Sequence, residues 1–283
     1  CVAATTVGIV CDFPPVIQIP LVLAAGVLAG AVFGGMVGFL KAKFGIHEVL
    51  TSIMFNWIAL YFSNFISDLK RFHKPDTMGT YAINKSGYTM ILGSWKTTKE
   101  GKEVLVNNEF LRDTLLKTDV NAGILAAVVL AILVSFLLYK TTKGFELRAV
   151  GANRFAAEST GIDVNKNILH AMIISGGICG LAAAFYITGN SPHGIATLAA
   201  FENTGFNALG VCLIAASSPI GCIFAGLLFG GLLYGGQSLQ YEVGAPSEII
   251  NIVIGVVVFF VALTHIIPPL VDRFSKGGKN HAK

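Results

Sequence analysis

The residues of this chain best placed to do chemistry carry amides and hydroxyls, not paired acids, bases or nucleophiles. On the apolar stretch 48–67, "EVLTSIMFNWIALYFSNFIS", Ser52, Asn56 and Ser63 return to nearly the same angle of a helix. Polar groups inside a bilayer turn toward the bundle interior. There they would bond a solute's hydroxyls, with Phe55, Trp57 or Tyr61 offering a face for a flat ring. The same Asn56 would serve equally as a hydrogen bond between helices. A second group, Glu202, Asn203 and Asn207, heads a short apolar segment. The free N–H groups of a helix start suit a hydroxyl-rich ligand; Asn203 as a plain N-cap explains the same residues. His47 and Glu48 sit at the opposite boundary, where a local ion pair or water contact is expected.

Other chemistries are poorly served. There is no GxSxG elbow, no HExxH and no GxxxxGK[ST] loop, so this chain does not bind ATP by that loop. Glu48, Glu202, Glu242 and Glu248 lie near segment ends, and His170 and His265 near one membrane face. An ion-coupled secondary transporter usually holds such groups deep in a helix. The cysteines Cys1, Cys11, Cys179, Cys212 and Cys222 form no CxxC pair and no zinc spacing, so no metal site is expected.

The elements that must position these residues are apolar. Of 283 residues, 54% are hydrophobic and 13% charged, against about 25% charged in soluble domains. The expected fold is an all-α polytopic membrane protein of about seven apolar segments. They are 20–40, 48–67, 121–139, 167–188, 203–216, 220–237 and 248–267. Segment 203–216 would reach only about 21 Å as a helix, short of the roughly 30 Å hydrocarbon core. It is the one short or broken helix, tolerated where it lines a cavity. Gly26, Gly30, Gly34 and Gly38 recur every fourth residue, and Gly226, Gly230, Gly231 and Gly235 form a second row. Both rows are expected to be packing seams, because helices in lipid associate by close backbone approach.

Lys and Arg concentrate at 41–43, 140–166 and in the tail 268–283, which segment parity puts on one side, the cytoplasm. Residues 68–120 then form a long extracytoplasmic loop. Within it "TYAINKSGYTMIL" reads as a hairpin around Lys85-Ser86-Gly87, and "NNEFLRDTLLK" as a helix lying on the membrane surface. The whole, 1–283, reads as a single transmembrane domain.

The polar insert "TTKGFELRAVGANRFAAESTGID", residues 141–163, interrupts this pattern. Asn153 is a ready N-cap, "RFAAESTG" gives about two helical turns, and Gly161 supplies a left-handed stop. Helices this short need outside support. Ala156, Ala157 and Gly161 would admit another backbone, and Arg148 and Arg154 would reach its carboxylates. A capped turn serving only the positive-inside rule fits the same residues.

"GFELRAVGANRFAAESTGI" resembles the cytoplasmic loop of permease subunits of ATP-binding cassette importers, in the branch handling simple sugars, branched-chain amino acids and nucleosides. "KAKFGIHEVLTSIMFNWIALYFSNF" is similar, more narrowly, to bacterial nucleoside-importer permeases. "FENTGFNALGVCLIAASSPIGCIFAGLLFGGLLYGG" resembles that family's late region. The resemblance covers most of 14–267, and it implies further membrane segments and a Gly-rich motif ahead of this sequence. It implies ATP-driven import of a nucleoside across the inner membrane of a bacterium, by alternating access. A simple sugar such as ribose is the alternative cargo, and an ion-coupled transporter the alternative mechanism. This chain would be a transport subunit, not an enzyme, and would bind no cofactor, ATP being hydrolysed by a separate ATPase subunit. A substrate-binding lipoprotein and a second, unlike permease subunit are the other implied partners, and membrane lipid surrounds the whole. By position, Gly144, Arg148, Gly151, Asn153, Ala156, Ala157 and Gly161 are the coupling residues. Ser52, Asn56, Trp57, Asn203 and Asn207 are the residues expected along the substrate path.

Overall fold

In the computed structural model, the described residues are 1–75, 77–90, 121–190, 193–200, 202, 204–244, 246, 249, 251–260 and 263. They are helical, with no strand beyond isolated bridges. The helices are α1 (Val2–Val10), α2 (Pro15–Phe44), α3 (Glu48–Asp68), α4 (Gly123–Lys140), α5 (Thr142–Ala152), α6 (Arg154–Ser159), α7 (Val164–Gly189), α8 (Thr204–Ile214) and α9 (Gly221–Val243), with α10 (Asn251–Phe260) last. Four of them, α2, α3, α4 and α7, are long and apolar enough to cross a membrane. The chain is an all-α polytopic membrane protein. The surface-helix expectation at 107–117 and the tail 268–283 lie outside the described residues.

Two compact units are formed, one from 1–127 and 138–201, the other from 128–137 and 202–283. The first is built on α2 and α7, which run antiparallel along a row of glycines. A Cβ on Gly26 would fall 2.7 Å from the Gly180 carbonyl oxygen and 2.8 Å from the Ala184 methyl. One on Gly30 would overlap the Gly176 carbonyl and lie 2.9 Å from the Gly180 Cα. Gly34 meets Gly176 and Met172, and Gly38 meets Met172. This is the expected seam: two backbones meet directly, which only glycine permits. The row Gly226, Gly230, Gly231 and Gly235 on α9 differs, since none of the four meets any described residue of this chain. Among the described residues nothing lies against this second row, so the seam expected there has no partner among them.

Helix α2 starts at Pro15, five residues before the expected Pro20. Pro15 takes the first helical position, where its missing N–H costs nothing. Pro20 is carried inside the helix. At the other end Gly45, at φ 68, turns the chain and His47 Nδ1 caps α3 through the Val49 N–H at 3.3 Å. Glu48 pairs with Lys41 across this turn at 2.6 Å, the local ion pair expected there. The α1 helix was not expected, because nine residues are too few to span. Its Ala4 and Thr5 are buried, and Gly8 abuts Ile83.

The start of the loop after α3 belongs to the first unit. Among the described residues no hairpin forms around Lys85-Ser86-Gly87, which is a single 3-10 turn. Residues 78–83 pair instead with 193–197. Thr80 N donates to Ile195 O at 2.9 Å, Ile83 N to His193 O at 2.9 Å, and Thr197 N to Met78 O at 2.9 Å. The Asn64 amide clamps the same segment, donating to Leu198 O at 2.9 Å and accepting from Leu198 N at 3.1 Å. Asn84 donates to Cys11 O at 2.8 Å, and so does the fully buried Gln18. Thr89 and Thr188 hydroxyls meet at 2.9 Å, and His193, at φ 58, stacks on Tyr88 with centroids 3.9 Å apart. These bonds knit α1, α2, α3 and α7 together at the end of the unit remote from α5 and α6. Each hydrogen bond contributes about 1 kcal/mol net, so Asn64→Ala is expected to cost about 2 kcal/mol. Thermal unfolding in detergent, with protease access to 193–200, reads this; an unchanged midpoint would mean that the segment is held by its backbone bonds alone.

In the second unit α8 has 11 residues, about 16 Å at 1.5 Å per residue, and is too short to span. Gly210 packs against Phe229 of α9 and Val258 of α10; a Cβ there would lie 2.9 Å from each. Phe229 and Ile254 complete this small core, at 3% and 6% exposure. The turn between α8 and α9 puts two consecutive non-glycine residues in the left-handed region, Ala216 at φ 49 and Ser217 at φ 58. Each costs an L-residue about 1–2 kcal/mol, and a glycine recovers that minus about 0.5–1 kcal/mol of unfolded-chain entropy. Ala216→Gly is therefore expected to stabilise the protein by about 0.5–1 kcal/mol, read as a raised unfolding midpoint.

Candidate coupling and translocation sites

The insert is built as a chain of capped pieces. The Thr141 hydroxyl accepts from Gly144 N at 3.1 Å and starts α5, a helix not expected from the sequence. Asn153 stops α5 in extended backbone and restarts the chain as α6, its Oδ1 accepting from Phe155 N at 3.0 Å and Ala156 N at 3.2 Å. The far end closes with two bonds typical of a glycine-terminated helix: Gly161 N to Glu158 O at 3.0 Å and Ile162 N to Ala157 O at 3.1 Å. Gly161 stands at φ 84, where a side chain would be strained. Both sequence expectations for α6, the Asn153 cap and the Gly161 stop, are met.

Asp163 then caps α7 through Lys166 N at 3.1 Å and pairs with the Lys166 ammonium at 3.0 Å. Asn167, 3% exposed, donates to Asp163 O at 3.0 Å. Hydrogen bonds from Lys143 and then Asn167 hold the Glu146 carboxyl below its ordinary value of 4.5. Within α5 the Lys143 ammonium pairs with Glu146 at 2.9 Å, and Ala157, 4% exposed, seats α6 on the chain, the outside support that so short a helix requires.

The seven residues expected to couple divide by exposure. Gly144 and Ala157 face into the chain and hold the insert to it. Arg148, Gly151, Asn153, Ala156 and Gly161 face outward. Arg148 lies over the Tyr139 ring at 5.1 Å, so its stem and charge are partly engaged at the end of α4. Arg154 makes no ion pair among the described residues. One residue was missed: Phe155, 84% exposed, stands on the outward side of α6. An aromatic in a helix otherwise made of Arg, Ala, Glu and Ser was the available signal.

On α3 the polar stripe is real but uneven. Ser52 and Asn56 are exposed, Ser63 is half-buried, and Ser67 is 1% exposed with its hydroxyl on Ser63 O at 3.0 Å. The stripe runs into the protein at one end of α3 and opens outward at the other. Phe33 of α2 meets Phe55 edge-on at 6.0 Å beside it, and Trp57 stacks with Tyr61 at 6.0 Å. Exposed amides and hydroxyls bordered by aromatic rings suit a solute with both polar and flat faces. In the second unit Asn207 is half-buried on the first half of α8. Asn203 lies outside the described residues.

Comparison with known proteins gives the chain's family. The family model described as branched-chain amino acid transport system / permease component matches residues 1–262. The guanosine ABC transporter permease protein NupP of Bacillus subtilis (strain 168) is 35% identical over 279 residues, covering 98% of this chain and 74% of its own length. The nucleoside ABC transporter permease protein NupB of Lactococcus lactis subsp. cremoris (strain MG1363) is 32% identical over 266 residues, 93% and 68% of the two chains. The glucose ABC transporter permease protein TsgB13 of Haloferax volcanii is 26% identical over 258 residues, 91% and 64%. No solved structure matches the chain.

Proposed function

This chain belongs to the family of branched-chain amino acid transport system permease components, and from that premise we propose that it is the membrane subunit of an ATP-driven nucleoside importer. The observation that carries the cargo assignment is its similarity, at 35% and 32% identity over nearly its whole length, to permeases named for guanosine and for nucleosides. The relative named for glucose is less similar, which favours a nucleoside over a sugar. The work is divided among subunits. A separate ATPase subunit in the cytoplasm hydrolyses ATP, an extracytoplasmic binding protein delivers the solute, and a second permease chain completes the pathway. This chain itself holds no cofactor.

The insert is the handle by which the ATPase moves the bundle. Arg148, Gly151, Asn153, Ala156 and Gly161 present its outer side, while Gly144 and Ala157 fix it to the chain. A load on α6 passes through the capped corner of Asp163 and Asn167 into α7, and through the glycine seam into α2. Because α2 and α7 touch backbone to backbone, they tilt together as one body. Alternating access follows if that body swings while other helices hold. Ser52, Asn56 and Trp57 on α3 offer weak hydrogen bonds and stacking to a passing ribose and base, and Asn203 and Asn207 are further path residues expected from the sequence. Strong binding would trap the solute, so a path of neutral amides and hydroxyls suits release.

The test is uptake into right-side-out vesicles holding this permease with its partner subunits. Labelled guanosine, uridine, ribose and leucine are offered, with and without internal ATP and with an ionophore. Nucleoside uptake that needs ATP and ignores the ionophore supports the reading. Uptake of ribose alone would reassign the cargo, and uptake that collapses with the ionophore and needs no ATP would overturn the mechanism.

A further inference from the structure

Resting on the importer reading above, we propose that His47 makes this permease sensitive to cytoplasmic pH: its neutral ring caps α3 beneath the solute path, and protonation releases that cap. The corner lies on the face where Lys and Arg concentrate. His47 Nδ1 accepts from the Val49 N–H at 3.3 Å. Only a ring nitrogen without a proton can accept, so this bond requires the neutral imidazole with its hydrogen on Nε2. An imidazolium donates from both nitrogens and leaves the Val49 N–H without its partner. Histidine is the side chain whose ordinary change of charge falls between about pH 5 and pH 8, and His47 is exposed to solvent protons. Side chains also cap α5, α6 and α7, from Thr141, Asn153 and Asp163. A hydroxyl, an amide and an ionised carboxylate go on accepting throughout that range; the imidazole does not.

The charges around the ring set the direction. Helix α2 is the one that packs most against α3; its charged groups at this corner are Lys41 and Lys43, and Glu48 is the acid on α3 itself. Lys41, its side chain 12% exposed, holds Glu48 at 2.6 Å. Lys43 lies over the Phe39 and Phe44 rings at 5.4 and 5.7 Å. The pairs Lys143–Glu146 and Lys166–Asp163 close on themselves further along the chain. A proton on His47 therefore adds a third cation beside two lysines, at a helix start whose dipole already disfavours positive charge. Glu48 would draw the new charge, but in competition with Lys41, the bond that fastens α2 to α3. Loss of the cap and a contested Glu48 both loosen the corner. The path begins directly beyond it. Thr51, 7% exposed, gives its N–H and its hydroxyl to the His47 carbonyl, each at 3.2 Å. The path candidates Ser52 and Asn56 follow on the next turns of α3. A frayed first turn displaces Ser52 and frees the inner end of α3 from α2. Acid inside the cell then slows solute release.

The experiment uses the assembled importer in right-side-out vesicles with internal ATP and labelled guanosine or uridine. Internal pH is set from about 8 to about 5 while the outside stays neutral, and uptake is expressed per ATP hydrolysed in the same vesicles. The parent is compared with His47→Asn, which caps at every pH, and His47→Lys, which is charged and cannot accept. Parent uptake is expected to fall about fivefold across the range, the usual weight of an N-cap. His47→Asn should hold the parent's alkaline value throughout, and His47→Lys its acid value. A fall in His47→Asn equal to the parent's would overturn the proposal, since another group would then be titrating. A fall produced by outside acid alone would overturn it too, by putting the corner on the other face. Either result keeps ATP-driven nucleoside uptake at neutral pH, and with it the importer reading. Absence of that uptake in the parent at every pH would overturn the importer reading and this proposal together.

Discussion

Gly30→Leu is expected to leave almost no folded permease. A single Cβ at Gly30 already overlaps the Gly176 carbonyl, and both neighbours are backbone atoms that cannot rotate away. Even Gly30→Ala must push α2 off α7, at about 1–3 kcal/mol by the usual cost of overpacking. Leucine adds three more carbons to the same gap. The loss would spread, because Gly26 meets Gly180 and Gly34 meets Gly176 along one continuous line, so separating one pair loosens all. Gly226→Ala is the matched control: the same change, on a helix row that meets no described residue of this chain. Yield of monodisperse protein and the unfolding midpoint in detergent separate the two. If Gly30→Ala and Gly226→Ala behaved alike, the seam would not be what holds α2 to α7.

The second large effect is functional. Replacing 153–161 by a Gly/Ser linker is expected to abolish ATP-driven uptake, by two orders of magnitude or more, while leaving the membrane helices folded. The two properties separate because α6 makes one buried contact with its own chain, Ala157, and presents its other residues outward. The linker removes the Asn153 cap, worth about 1 kcal/mol, and the left-handed stop at Gly161. Without both, six residues cannot remain a helix, and a floppy loop transmits no displacement. Asn153→Ala alone should give an intermediate loss. Uptake and ATP hydrolysis are measured on the same vesicles, beside an unfolding scan. Undiminished uptake by the linker variant would reduce the insert to a capped turn.

What the sequence made legible followed from local physics. Apolar length marked α2, α3, α4 and α7, and the shortness of α8 was plain from its residue count. The Asn153 cap and the Gly161 stop were readable because a capping amide and a left-handed glycine act within a few residues. The first glycine row announced its seam by spacing, and Gly176 and Gly180 of α7 proved to be the other side of it. The second row had the same spacing and no described partner in the chain, because spacing says what a face would accept and not what lies against it. The hairpin expectation failed for a related reason. Lys85-Ser86-Gly87 is good turn chemistry, but residues 78–83 found partners more than a hundred positions away at 193–197. Asn64 clamping Leu198 is equally invisible, being two side-chain bonds across 134 positions. Helix α5 hid behind Gly144 and Gly151, and it stands because Thr141 caps it and Lys143 pairs with Glu146 along it. For the path, the α3 stripe was legible as a face, whereas its passage from open at Ser52 to buried at Ser67 was not.

The glycine seam also sets a timetable for biosynthesis. Gly30 and Gly176, which must touch, are separated by about 150 residues, and at about 5–20 residues per second a ribosome needs roughly 7–30 s to make them. Throughout that interval α2 is already in the bilayer with its glycine groove facing nothing it will finally meet. An insertase, a neighbouring helix or lipid must occupy the groove and then yield it to α7. Nascent chains stalled before residue 164 should therefore be bound by membrane chaperones or destroyed by membrane proteases. Those released after residue 189 should escape both.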